Sequence, residues 1–288
     1  MKRLLRLTPL LILFFGCSRL NQLTTDMSSE TWLKTHPWIQ VKLPSLQFIL
    51  AEPSSSIIVF SLGIILSIAG FLFLQKREKS RSALLWGIGL LLWSLSTFFA
   101  GISYQAFSYE LKFAGREIGL WTSWWEIWYL MVFTVSMNFI VSAVAYSSTT
   151  SKLRKGLLIY AIANSLIYLA VVLSGALIPN QFLASFECML FFTGPSFIIL
   201  SIVNLAAWIK TKSLLDARLF LAWIGFFIVT ALYFVYYISG LADVLWKQGI
   251  WFNANDVLHI GLIIWVVYLL AGVKKLCADF PTDTTLQR

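Results

Sequence analysis

NANDVLHIGLIIWVVYLLAGVKK, residues 253–275, decides the fold. The stretch opens on amides, an acid and a histidine, stays apolar for about twenty residues, and closes on Lys274 and Lys275. About 20 mostly apolar residues in a helix span the ~30 Å hydrocarbon core of a bilayer. The run 254–273 has that length and is continuously apolar, whereas barrel strands alternate with a period of two. A helix satisfies its own backbone in lipid, so the stretch reads as a membrane-spanning helix.

Six more runs of the same kind precede it, at 55–74, 83–104, 124–146, 157–177, 183–209 and 219–239. The sequence therefore predicts an all-α polytopic membrane protein, a seven-transmembrane-helix bundle. Composition agrees: 59% of the 288 residues are hydrophobic and 12% charged, against about 45–50% and about 25% in soluble domains. That balance excludes a nucleic-acid-binding domain and any sizeable soluble catalytic domain. Three cysteines exclude a disulfide scaffold.

The net charge of +9 is an orientation signal. Lys76, Arg77, Lys79, Arg81, Lys152, Arg154, Lys155, Lys210, Lys212, Arg218, Lys274 and Lys275 fall in or beside alternate connections. The other connections hold Lys112, Arg116 and Lys247, so the bias is twelve against three. The positive-inside rule then predicts an outside N-terminus and a cytoplasmic C-terminus in a bacterial cytoplasmic membrane.

A shorter apolar run, 4–16, follows Lys2 and Arg3 and ends at Gly16-Cys17. Its length and basic start predict a signal peptide or lipoprotein-like signal over 1–17, with Cys17 as the lipidated residue. An uncleaved anchor and a true start at Met27 are the alternatives. Residues 18–54 read as an extracytoplasmic linker, 55–277 as the membrane domain and 278–288 as a cytoplasmic tail, too short for an output domain.

Ionisable groups at bilayer depth are costly, so each is a functional candidate. Ser103 and Tyr104 close the second run, Glu126 opens the third, Glu187 opens the fifth, Asp243 follows the sixth, and Asn253, Asn255, Asp256 and His259 open the seventh. On the predicted topology all lie at outer helix ends, which predicts a polar extracytoplasmic pocket. Interfacial enrichment of acids, amides and aromatics gives the same pattern without a pocket. Asn255 and His259, four apart, share one helical face. Asn138, Asn164 and Asn204 read as interhelical hydrogen-bonding amides, and Gly63 with Ser67 as a close-packing pair. Gly194-Pro195 reads as a kink. The seventh run has no lysine for a retinal Schiff base, and no phosphate loop, CxxC or HExxH occurs.

Seven helices, Ala100-Gly-Ile-Ser-Tyr104 closing the second and Asn255-xxx-His259 opening the seventh resemble the CREST superfamily, the alkaline ceramidases and the progestin and adipoQ receptors. The stretch from Phe252 to His259 also resembles bacterial seven-helix membrane proteins of uncharacterised function. The CREST resemblance implies a zinc-dependent lipid amidase with a serine and an acid. Tyr104 and Asn255 stand here where that family has histidines, which leaves His259 as the metal ligand and Glu126, His259 and Asp256 as the catalytic set. Three functions follow as expectations: a non-enzymatic protein binding a small molecule or membrane lipid without cofactor; a CREST-like hydrolase with a degenerate zinc site; and a small transporter or channel component, which predicts a helix broken at mid-membrane.

Overall fold

The computed structural model describes residues 18–280 except 77 and 79. The predicted signal segment with Cys17 and the tail beyond 280 lie outside the described residues. In chain order come β1 (Thr24–Ser28), α1 (Ser29–Thr35), β2 (Trp38–Leu43), β3 (Leu46–Ala51), α2 (Pro53–Leu74) and α3 (Arg81–Ala100), which widens into a π turn at Gly101–Ala106. Then follow α4 (Ser108–Lys112), β4 (Ile118–Leu120), α5 (Trp124–Ser148), α6 (Ser151–Leu177), α7 (Phe186–Thr211), α8 (Leu214–Ser239), α9 (Leu241–Lys247) and α10 (Ala254–Tyr268), with a second π turn at Leu269–Val273.

Among the described residues seven helices (α2, α3 with its π turn, α5, α6, α7, α8 and α10 with its π turn) are long and apolar enough to cross a membrane, the character of a multi-pass membrane protein. Five of their starts are set by polar caps. The side chains of Ser80, Ser123, Ser185, Ser213 and Asn253 each accept a hydrogen bond from the backbone amide three residues on, satisfying an otherwise orphaned N–H. Hence α8 starts at Leu214, five residues before its apolar run, while α6 starts at Ser151 without a side-chain cap, with Lys152, Arg154 and Lys155 in its first turns.

Helix α5 is the hub, packed on α3, α6 and α7, while α2 lies between α3 and α10 and α8 between α7 and α10. Helices α2 and α3 approach closely at Gly70 and Gly87: a Cβ on either would fall 3.0 Å from the other's carbonyl oxygen. The expected contact at Gly63 also forms, with Ser94 Oγ donating to the Gly63 carbonyl at 2.6 Å and lying 2.7 Å from Ser67 Oγ. The membrane amides behave as read. Asn138 Nδ2 donates to Ser165 Oγ at 2.9 Å, and Asn164 Nδ2 lies 3.3 Å from Asn138 Oδ1. Helix α7 continues through Pro195 to Thr211 without a break.

The predicted linker is folded. Strand β1 pairs antiparallel with β4, and β2 with β3 in register from Trp38–Ala51 to Leu43–Leu46. Trp32, Ala51 and Phe113 form a small core between them. Ile49 N–H donates to Glu110 Oε1 at 2.7 Å, so 18–52 and 107–123 together form a lid over one end of the bundle, the capped end. The opposite, basic end gathers the cationic connections; Lys76 Nζ donates to the Lys274 carbonyl at 2.9 Å.

Candidate functional site

Beneath the cap the helices do not close. A cavity of about 520 Å³ lies among α2, α3, α5, α7, α8 and α10, within the ~300–1,000 Å³ typical of small-molecule sites. Its floor is aromatic: Phe197 stacks on Phe226 at 4.1 Å between ring centroids, and Trp93 lies 5.4 Å from Trp265. Phe133, Tyr129, Tyr233 and Phe186 continue the walls. Ile198, Phe227 and Phe234 line the cavity while 55%, 39% and 44% exposed on the outside of the bundle. The cavity therefore opens sideways, between α7 and α8.

Three of the polar site candidates read from the sequence line this space: Tyr104, Asn255 and His259. The face shared by Asn255 and His259 is thus turned inward. The π turn at Gly101–Ala106, marked by the Phe107 amide donating to the Ile102 carbonyl at 2.9 Å, separates Ser103 from its neighbours. Ser103 turns to Glu126, Tyr104 lies between Glu126 and the cavity, and Gln105 lines the cavity. Such turns are frequent at functional sites.

The remaining candidates are placed elsewhere. Glu126 is buried above the cavity and accepts from Lys112 Nζ at 2.8 Å, Ser103 Oγ at 2.8 Å and Thr122 Oγ1 at 2.9 Å. Lys112 Nζ also sits 5.2 Å over the Tyr104 ring. Asp256 is buried in a capping box, its Oδ2 accepting from the Asn253 amide at 2.8 Å while Asn253 Oδ1 accepts from the Asp256 amide at 3.1 Å. Asn253 Nδ2 reaches Glu52 Oε2 at 3.2 Å. Glu187 and Asp243 are exposed. Of the catalytic set read from the sequence, then, only His259 borders the cavity.

A smaller recess of about 240 Å³ lies under the cap, bordered by His36, Glu52, Lys112 and, on its shared wall with the cavity, Tyr104. His36 stacks on Trp32 at 4.6 Å, and burial holds its imidazole below the ordinary value, assisted by the Lys112 charge and opposed by the Trp32 carbonyl. Glu52 caps α2 in a left-handed conformation, φ 41°. Burial first, then the neighbouring Asp256 carboxylate, push its carboxyl up to about 8. Sequence reasoning missed Glu52, Lys112 and Gln105. Gln105 stands one residue past the end of the second apolar run, and the other two lie outside every run.

The zinc implied by the CREST resemblance does not fit these residues. The groups that converge are a phenol, an amide and one imidazole, a poor donor set for zinc, which favours several imidazoles, thiolates or carboxylates. Among the described residues no three His, Cys, Asp or Glu side chains gather. No step through a metal follows.

No curated protein and no solved structure matches the chain. One family does, over residues 57–278, a span that holds every residue lining the cavity and leaves most of the cap outside. By that match the chain belongs to the family of unknown function DUF6962.

Proposed function

We propose that this protein is a membrane-embedded binding protein that admits an uncharged amphiphile sideways from the bilayer into the cavity beneath its cap. The observation that carries this reading is the lateral opening, where Ile198, Phe227 and Phe234 belong to both the cavity wall and the outer surface. A guest entering there exchanges lipid contacts for aromatic ones without crossing water. Among the described residues no Asp, Glu, Lys or Arg lines the cavity, so a charged headgroup would be buried without a counter-ion, at several kcal/mol.

The twelve-to-three bias of cations supports an outward-facing cap in a bacterial cytoplasmic membrane. On this reading the protein binds rather than transforms its guest, because neither acid that would do chemistry, Glu126 in its ion pair with Lys112 or Asp256 in the α10 cap, lines the cavity.

The test is to fill the space. Ala100 and Gly194 are small wall residues, and a Cβ on Gly194 meets nothing within 4 Å. Ala100→Phe and Gly194→Phe are each expected to remove the lipid that copurifies with the wild type in detergent, read by native mass spectrometry, while the melting temperature holds. Retention of the same lipid in both variants overturns the reading.

A further inference from the structure

Two residues that line the cavity each carry a buried polar atom without a partner: Gln105 Oε1 and His259 Nδ1. Gln105 is 2% exposed, and among the described residues neither side chain makes a hydrogen bond. The contrast with the other membrane amides is sharp, since Asn138, Asn164 and Asn204 are all paired. An unpartnered buried acceptor carries its full desolvation cost, and in a membrane interior that cost has no bulk-water relief. The glutamine oxygen accepts only. The imidazole nitrogen accepts or donates according to its tautomer.

Resting on the binding function proposed above, we infer that the guest is a neutral amphiphile with a planar, hydroxylated ring, of the phenol or quinol kind, and an apolar tail. The ring hydroxyl donates to Gln105 Oε1, or to His259 Nδ1 in its unprotonated form. The ring packs among Trp93, Tyr129 and Phe133, where offset and edge-to-face contacts favour another flat ring over a saturated chain. The tail leaves between α7 and α8. A phosphate-bearing lipid is disfavoured because the wall offers it no cation.

The probes are para-nonylphenol and its methyl ether, identical in ring and tail but differing in the single O–H donor. Each is titrated into the purified full-length protein in nanodiscs. In the wild type the phenol is expected to bind about five- to tenfold more tightly than the ether, the size of one buried hydrogen bond. Gln105→Leu with His259→Phe is expected to bring the phenol down to the ether's affinity. Phosphatidylglycerol is expected to displace neither. Equal wild-type affinities overturn the hydroxyl assignment, as does a phenol preference that survives in the double variant or displacement by the phospholipid. If the ether binds the wild type but not Ala100→Phe, the cavity reading stands whatever the hydroxyl result. If Ala100→Phe binds both probes as the wild type does, or the wild type binds neither, the cavity reading itself falls.

Discussion

Asn204 and Gln105 are both primary amides buried within the bundle, one toward the basic end and one beside the cap, and their surroundings differ in kind. Asn204 Nδ2 donates to Ser148 Oγ at 3.0 Å and to Asp216 Oδ1 at 2.9 Å, while its Oδ1 accepts from Trp223 Nε1 at 2.8 Å. It ties α5, α7 and α8 together, and every valence is used. Gln105 faces a space and uses none. Asn204 holds helices together, whereas the Gln105 side-chain oxygen, on a cavity-lining residue, is left without a partner. The lesson is that an amide's role in a membrane protein is read from what closes around it.

The comparison can be broken at several points. The largest effect is expected at the cap's own ion pair. Lys112→Met leaves Glu126 buried without its cation, which costs about 3–5 kcal/mol, and Lys112→Met with Glu126→Gln recovers most of it; thermal unfolding in detergent reads both. Next comes pH. Glu52 keeps its proton up to about 8 in the folded chain but releases it near 4.5 when unfolded. Between those values the native state holds more protons, so stability falls as pH rises through the window and levels off above it, by at most about 1.4 kcal/mol per pH unit. Glu52→Gln should flatten that slope, provided Asp256 and Lys112, which act on the carboxyl, are unchanged.

A smaller effect is expected at the basic end. Asn204→Leu strands Asp216 and Trp223 Nε1 and costs about 1–3 kcal/mol. Smallest of all, Gln105→Leu is expected to leave stability unchanged or raise it by up to about 1 kcal/mol, because it removes an unmet acceptor. Chemical denaturation of the two leucine variants side by side tests the contrast directly: equal destabilisation would place Gln105 in the same structural class as Asn204.

Much of the fold was legible. Uninterrupted apolar length marks a spanning helix whatever packs on it, and all seven were visible. Their ends were less so, because hydropathy stops at Lys155 while the backbone ladder of α6 runs on to Ser151, with the Arg154 amide donating to the Thr150 carbonyl. The cap was illegible because β1 finds its partner in the three residues of β4, far along the chain. Of the site, Tyr104, Asn255 and His259 could be picked out as polar residues at the ends of apolar runs. The cavity could not, since a phenylalanine reads identically beside a neighbour or beside a void.

The π turn at Gly101–Ala106 works as a sorting device. Its i→i+5 bond takes in one residue more than an α-helical turn, and its side chains serve two places, Ser103 the Glu126 carboxylate and Gln105 the cavity. Excising one of its residues would restore the tighter winding and leave the Glu126 carboxylate or the cavity without the side chain it now has.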